Sequence, residues 1–501
     1  MKELDNLVNS LSEAELRLIE ENLICSKVKD GSKLFRLFLQ IKKKSQTEGN
    51  QNIQLKNTSS TKAAYTKLKS RLFQIILDVL VSDKAIENKL VYGDLERNFI
   101  RVRKWMLKFR AMFTKFSRPN PDVLEHISNH IISEAKKFEL YDVLLEILQF
   151  KQSRVLLTEG ETALKNIDAE IEFYDKARMA KRDAQENYLR LVSNKGLLKS
   201  MTPNQLNTFR SKSIERMEKD YKLTNSKTIA YFLFTIKLDQ SLVDEDYPLA
   251  EKICLNLLEL VKENQCIYQK ERLGIIYDNY SIIKCFQFKF GEAIQLVVKA
   301  RAFIRKNSYN FMASLEQEFY CRFYAGQFSE ALDVIERIIP LSKKIMGHFL
   351  NSKYILQKAA LYFKMGKHKE SMKLCSDWLE LEKEKARWDL GIRYLRIMNC
   401  IELEFLDQAA AQIEALRKFI ERNEIHEFRK RDKMIYTLFN LIMRSGFQTK
   451  VSVSLSKILA NLASNEMEIK YKLFSHELVR IDTWIRAYFF KKKRFSELIT
   501  N

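Results

Sequence analysis

Few residues in this chain have the type and spacing that chemistry needs. His126 and His130 stand four apart in His-Ile-Ser-Asn-His. On a helix both fall on one face, as two zinc ligands would. The glutamate that serves as base in a metalloprotease helix is missing, and no third ligand lies close by. The expectation is an ordinary exposed helix face and no metal or other cofactor. His348, His368, His426 and His476 are isolated in the sequence. The seven cysteines, Cys25, Cys254, Cys266, Cys285, Cys321, Cys375 and Cys400, are widely spaced and form no Cys-x-x-Cys pair. Their apolar neighbours suggest reduced, buried thiols in a cytoplasmic protein. No glycine-rich phosphate loop and no Gly-x-Ser-x-Gly elbow occurs, so no catalytic residues are expected and the chain reads as a non-enzyme.

Charge offers a second kind of chemistry. The 501 residues hold 86 Lys+Arg and 64 Asp+Glu, a net charge of +22. Lys33 to Arg118 contains 20 basic and 6 acidic residues, so 20 − 6 = +14 of that charge sits there. Residues 1–30 carry 4 basic and 7 acidic side chains, or −3. From Arg97 to Arg118 there is no acid at all, and Arg97, Arg101, Arg103, Lys104, Lys108, Arg110 and Lys115 accompany an apolar stripe of Phe99, Val102, Met106, Phe109, Phe113 and Phe116. Steps of three and four make this a basic amphipathic helix, stopped by Pro119 and Pro121. Such a face suits nucleic-acid phosphates, an anionic membrane surface or an acidic protein, or is simply solvated. The C-terminal Arg486–Phe495 adds basic residues beside aromatics, which could stack bases or cap the fold.

The elements that hold these residues are helices. Only 12 Gly and 5 Pro serve 501 residues, too few for the turns of sheets or barrels. The apolar fraction is 46%, a globular balance. No apolar run of about 18 residues exists, so no membrane span is expected. Ser12 with Glu15 reads as a capping box. Helices are expected over Lys33–Lys44 and along the stripe Tyr65, Leu68, Leu72, Ile75 and Val79, with a polar loop at 45–61. The stretch 160–195 has no internal breaker and reads as an extended helical hairpin. Thr202-Pro203 opens a further helix. Asp244, Glu245 and Asp246 read as a helix-start charge cluster.

From about 225 one phrase recurs five times: Tyr247-Pro-Leu-Ala250, Phe290-Gly-Glu-Ala293, Phe328-Ser-Glu-Ala331, His368-Lys-Glu-Ser371 and Leu406-Asp-Gln-Ala409. The small residue returns after 43, 38, 40 and 38 positions, and Gly326 and Gly366 precede two of the phrases. A small side chain lets two helices approach, and the aromatic fills the gap between units. This resembles the tetratricopeptide repeat, with a longer period than the usual 34 residues and without its consensus Trp. The chain as a whole resembles an uncharacterised Bacteroidota-type family of tetratricopeptide-like helical proteins, on Leu11–Glu15, Lys33–Phe38 and Leu68–Leu77. That resemblance brings no catalytic residues.

The expected architecture is all-α: a basic helical N-terminal domain (1–121), a long connecting helical hairpin (122–224), and a tetratricopeptide-like solenoid with C-terminal capping helices (225–501). The expected function is a cytoplasmic interaction scaffold or adaptor that binds a protein partner through the solenoid. Tyr320, Tyr324, Lys353, Lys364, Tyr394 and Met398 are the candidate lining of its surface, and no small-molecule substrate is evident. The alternative is a nucleic-acid-binding regulator that uses the basic helix.

Overall fold

The computed structural model describes residues 2–25, 31–46, 62–88, 93–115, 120–158, 160–192, 203–306, 308–345, 348–376, 386–422, 430–447, 453–466 and 468–489. The described residues are helical, with turns and no strand. None of the helices is long and apolar enough to cross a membrane. The expected loop at 45–61 is outside the described residues from position 47 onward, as are Thr202, Pro119 and the basic tail beyond 489.

The chain groups into two compact units, 1–244 with 255–272, and 245–254 with 273–501. Three segments in series were expected. The helices of 122–224 pack among themselves and with the helices before and after them in the chain.

The first unit opens with α1 (Lys2–Ser10), α2 (Glu13–Cys25), α3 (Gly31–Gln46), α4 (Lys62–Leu80) and α5 (Asp83–Glu87). The capping box forms: the Ser12 N–H donates to the Glu15 carboxylate at 2.6 Å, and the Glu15 N–H donates back to Ser12 Oγ at 3.3 Å. The expected stripes of α3 and α4 meet in one core of Leu34, Phe38, Leu72 and Ile76, closed by Leu4 and Ile19. Next come α6 (Asp94–Lys115), α7 (Pro121–Lys137), α8 (Tyr141–Thr158), α9 (Glu161–Val192), α10 (Pro203–Thr224) and α11 (Lys227–Val243). Pro121 is the first residue of α7, capped by Asn120 Oδ1 at 2.9 Å from the Asp122 N–H. The expected hairpin at 160–195 is one 32-residue helix, α9. With no breaker inside it, the segment has no reason to turn. It packs along α8, α10 and α11.

The repeats follow as α12 (Tyr247–Glu263), α13 (Lys270–Phe286), α14 (Phe290–Arg301), α15 (Tyr309–Tyr324), α16 (Phe328–Ile345), α17 (His348–Lys364), α18 (His368–Ser376), α19 (Ala386–Glu402), α20 (Leu406–Arg422), α21 (Lys430–Arg444) and α22 (Val453–Leu462). A last helical stretch covers 481–489. Each recurrent phrase opens the second helix of a hairpin, and Ala250, Ala293, Ala331, Ser371 and Ala409 are all fully buried. Asp246 caps α12, its Oδ1 3.0 Å from the Leu249 N–H.

The turn before each phrase has the same backbone form. Gly326 and Gly366 take positive φ of 78° and 74°. At the same place, two residues before the helix, Glu245, Phe288 and Glu404 take 60°, 60° and 59°. The hydrogen bonds match the Schellman pattern. The Gly326 N–H donates to the Phe323 carbonyl and the Gln327 N–H to the Arg322 carbonyl, as Phe288 does to Cys285 and Lys289 to Lys284. In the first unit, Glu139 (φ 51°) and Leu140 make the same two bonds between α7 and α8.

Six cysteines, from Cys254 to Cys400, are free and buried. Cys285 on α13 and Cys321 on α15 place their sulfurs 3.2 Å apart.

Candidate functional site

Helix α6 forms as expected, but its charge is largely answered by acids from outside the acid-free stretch. Arg97 is buried and pairs with Asp94 one turn earlier. Arg101 donates to Glu87 at 2.7 Å, Lys104 to Asp83 at 2.8 Å, and Arg110 pairs with Glu146 of α8. The hydrogen bond and charge of Lys104 hold the Asp83 carboxyl below its usual range. Lys108 lies over the Trp105 ring at 5.1 Å, and His130 meets the edge of that ring at 5.0 Å. Arg103 is exposed. The side chain of Lys115 is outside the described residues. The net charge of the sequence therefore overstates the free field of this face. Exposed pairs of this kind are worth about 0–1 kcal/mol and can be exchanged for another anion.

His126 and His130 are both exposed. No group of three or more His, Cys, Asp or Glu with metal-site geometry occurs among the described residues. His368 packs its ring against Phe363 at 4.9 Å, the role its place in the repeat suggests.

The six residues expected to line the solenoid surface divide. Tyr320, Tyr394 and Met398 are buried, at 4%, 2% and 1% exposure. They belong to the core of the second unit and not to its surface. In stacked hairpins the first helix touches neighbours on both sides, so two of its stripes are apolar where one was counted. Tyr324 is half-buried; its oxygen accepts from the Phe474 N–H at 3.0 Å. Lys353 pairs with Glu316 and lies 5.3 Å from the Trp388 ring centre. Lys364 is exposed at the end of α17. The set does not form one surface.

Sequence reasoning missed a buried polar cluster around Arg431 on α21. Its guanidinium donates to Glu477 at 2.5 and 2.8 Å, to Asp482 at 3.0 Å, and to the carbonyls of Leu462 and Ile469. His476 Nε2 lies 2.9 Å from Asp432, which also accepts from the Tyr394 hydroxyl at 3.2 Å. Burial pushes the Tyr394 phenol well above its ordinary value. The constellation has the residue types of an acid–base site, but Arg431, Asp432, His476, Glu477 and Asp482 are each buried. The cavity beside them holds about 10 Å³, room for about one water. The cluster fastens the irregular residues 468–480 onto α19 and α21. At Gly391 the helix passes so close to this stretch that a Cβ would stand 2.4 Å from the His476 carbonyl. His476 and Asp432 are 44 residues apart, and no sequence spacing announces such a pair.

A second missed feature is Glu139. Its carboxylate accepts from Ser226 Oγ at 2.8 Å, the Lys227 N–H at 2.5 Å and the Thr228 N–H at 3.3 Å. It caps α11 from 87 residues away. Nearby, burial pushes the Lys181 ammonium down and the Cys266 thiol up to about 12.

A cavity of about 500 Å³ in the second unit lies along α13, α15 and α17. Asp278 and Tyr320 both line it, and each has a buried side-chain oxygen without a partner.

No protein-family profile matches the chain, and no curated protein matches it.

Proposed function

We propose that the protein is a non-enzymatic scaffold or adaptor that binds a protein partner through its helical repeats. The observation that carries this reading is the tandem of hairpins with identical turns and fully buried small residues. Such an array spends its small residues on stacking and leaves the outer helix faces and turns to other proteins. The turns support it. Phe288 is 71% exposed and Phe405 46%. Phe288 is itself held at positive φ, and Phe405 follows Glu404, which is too; the exposed Phe288 ring meets the edge of the Phe290 ring at 6.1 Å. A partner that covers the two rings would take them out of water. The free, buried thiols fit a reducing compartment, and we place the protein in the cytoplasm.

The test is proximity crosslinking of the full chain in its own cells, followed by reconstitution with the purified partner. Phe288→Asp with Phe405→Asp should weaken that complex at least tenfold while the helical content stays unchanged. Equal affinity in the double variant sinks the turn surface as the docking site. Fluorescence polarisation with RNA and DNA from about 50 to 200 mM salt separates the nucleic-acid reading, because phosphate contacts weaken steeply over that range. The acids that already engage Arg97, Arg101, Lys104 and Arg110 predict weak binding there.

A further inference from the structure

We propose that the cavity along α13, α15 and α17 is a binding site for a compact organic cation, a guanidinium or primary ammonium on an alkyl stem, with Asp278 as its counter-ion. The cation can arrive as a free amine or as the basic side chain of a peptide.

The charges around the cavity decide the sign of the ligand. On α15, Glu316 is already saturated: it takes Lys353, the Tyr354 hydroxyl at 3.2 Å and the Gln357 amide at 3.3 Å. The Lys353 and Glu316 charges cancel. On α14, Arg301 is engaged by Glu318. That leaves the Asp278 carboxylate as the lining charge without an ion pair, with Ser314 and the Arg301 charge acting on it from outside the cavity lining. Its Oδ1 is buried and has no hydrogen-bond partner. A buried acceptor left alone costs the desolvation of that atom, and more when it is charged.

The second oxygen comes from Tyr320. The residue is buried (4% exposed), it lines the same cavity, and its hydroxyl makes no hydrogen bond of regular geometry, with the Gln357 side chain beside it. Burial pushes the phenol well above its ordinary value, so it stays neutral and offers a lone pair. A forked donor such as guanidinium reaches two acceptors at once. Ile275, Ile282, Ile304 and Phe474 also line the cavity and suit the methylenes of a stem. An anion would meet the Asp278 charge with only Lys353 to answer it, and Lys353 is taken.

Burial pushes the Asp278 carboxyl up to about 7, while Ser314 and the Arg301 charge pull it down. The other charged groups facing it are Glu316 and Lys353, which pair with each other. A cation binds the ionised carboxylate, so affinity should rise with pH up to about 7 and level off above it.

The experiment is isothermal titration of the full chain with agmatine, cadaverine, the blocked tripeptide Gly-Arg-Gly, and the neutral ureido isostere of agmatine. At pH 8 at least one of the three cations should bind, at least 30-fold tighter than the isostere. At pH 6 affinity should be about tenfold weaker. Asp278→Asn should lose at least 30-fold and the pH dependence with it. Ile275→Trp, at the exposed edge of the cavity, should block binding without touching the charge. Binding of the free amines assigns a small-molecule source; binding of the tripeptide alone assigns a protein side chain. The proposal is overturned if no cation binds at 10 mM, if the isostere binds as tightly, or if both variants bind like the parent.

Discussion

Replacing Glu139 by Gln tests how far a single carboxylate holds the first unit together. The three donors that meet it are the Ser226 hydroxyl and the N–H groups of Lys227 and Thr228, the first two of α11. The third, of Ile229, goes to Ser226 Oγ at 3.3 Å. Together the two side chains satisfy the first turn of α11, and the negative charge sits at the positive end of the helix. A Gln side chain keeps the shape but offers one carbonyl oxygen and turns an NH₂ toward backbone donors. Charge-assisted bonds are worth about 1.5–3 kcal/mol each, and they are not additive. We expect a net loss of about 2–4 kcal/mol for opening of the contact between the α7–α8 turn and the start of α11. A chain of this size does not unfold in one step, so the readout is local hydrogen exchange by mass spectrometry. Peptides over 127–145 and 224–243 should exchange about 30- to 700-fold faster, since about 1.4 kcal/mol is a factor of ten. A peptide over α15 should not change. Acceleration below about threefold would refute the argument that this carboxylate, and not apolar packing, fixes the start of α11.

Three further outcomes follow from the geometry. Gly391→Ala drives a Cβ to within 2.4 Å of the His476 carbonyl and 3.0 Å of Leu356; it should cost about 1–3 kcal/mol in thermal or urea melts of the second unit. Arg431→Ala leaves Glu477 buried without its cation and Asp482 with Arg480 alone; about 3–5 kcal/mol should be lost, with new protease cleavage in 468–480. Because the folded Asp278 carboxyl lies near 7 against about 3.8 unfolded, folding favours its protonated form. Stability from this group is complete below about pH 4 and falls as pH rises to about 7, so Asp278→Asn should be the more stable protein at pH 8 by about 1–3 kcal/mol, with the gap closing toward pH 4.

Much of the fold is legible in local patterns. Ser12 and Glu15 announce α2, the stripes of α3 and α4 face one core, and five phrases mark five helix starts. Two turns were visible through Gly326 and Gly366. The others were hidden because Glu245, Phe288 and Glu404 adopt the same left-handed form, at a cost of about 1 kcal/mol each, offset at Phe288 and Glu404 by the Schellman bonds. The α7–α8 turn was hidden twice over, by Glu139 at the turn and by Leu144 where a repeat has a small residue. The candidate site was less legible. Periodicity finds the apolar face of α15 and α19, but not whether Tyr320 or Tyr394 meets solvent or the next hairpin. The acids that answer α6 lie at Asp83, Glu87 and Glu146, beyond any window around it. Asp278 sits in an ordinary helical phrase, and only the packing of α13 on its neighbours leaves its oxygen alone.

The sulfurs of Cys285 and Cys321 touch, yet proximity is only half of what oxidation requires. Thiol–disulfide chemistry starts from a thiolate. The hydrogen bond with Cys321 and burial push the Cys285 thiol far up, and both residues are fully buried. At neutral pH the Cys285 thiolate is almost never present, and burial keeps small oxidants from both sulfurs. The pair is thereby chemically shelved: air and mild oxidants should leave both thiols countable after denaturation, and a bond between them should form only in chains that have first unfolded. Its appearance in a stored sample would then record past unfolding of these repeats, not regulation of them.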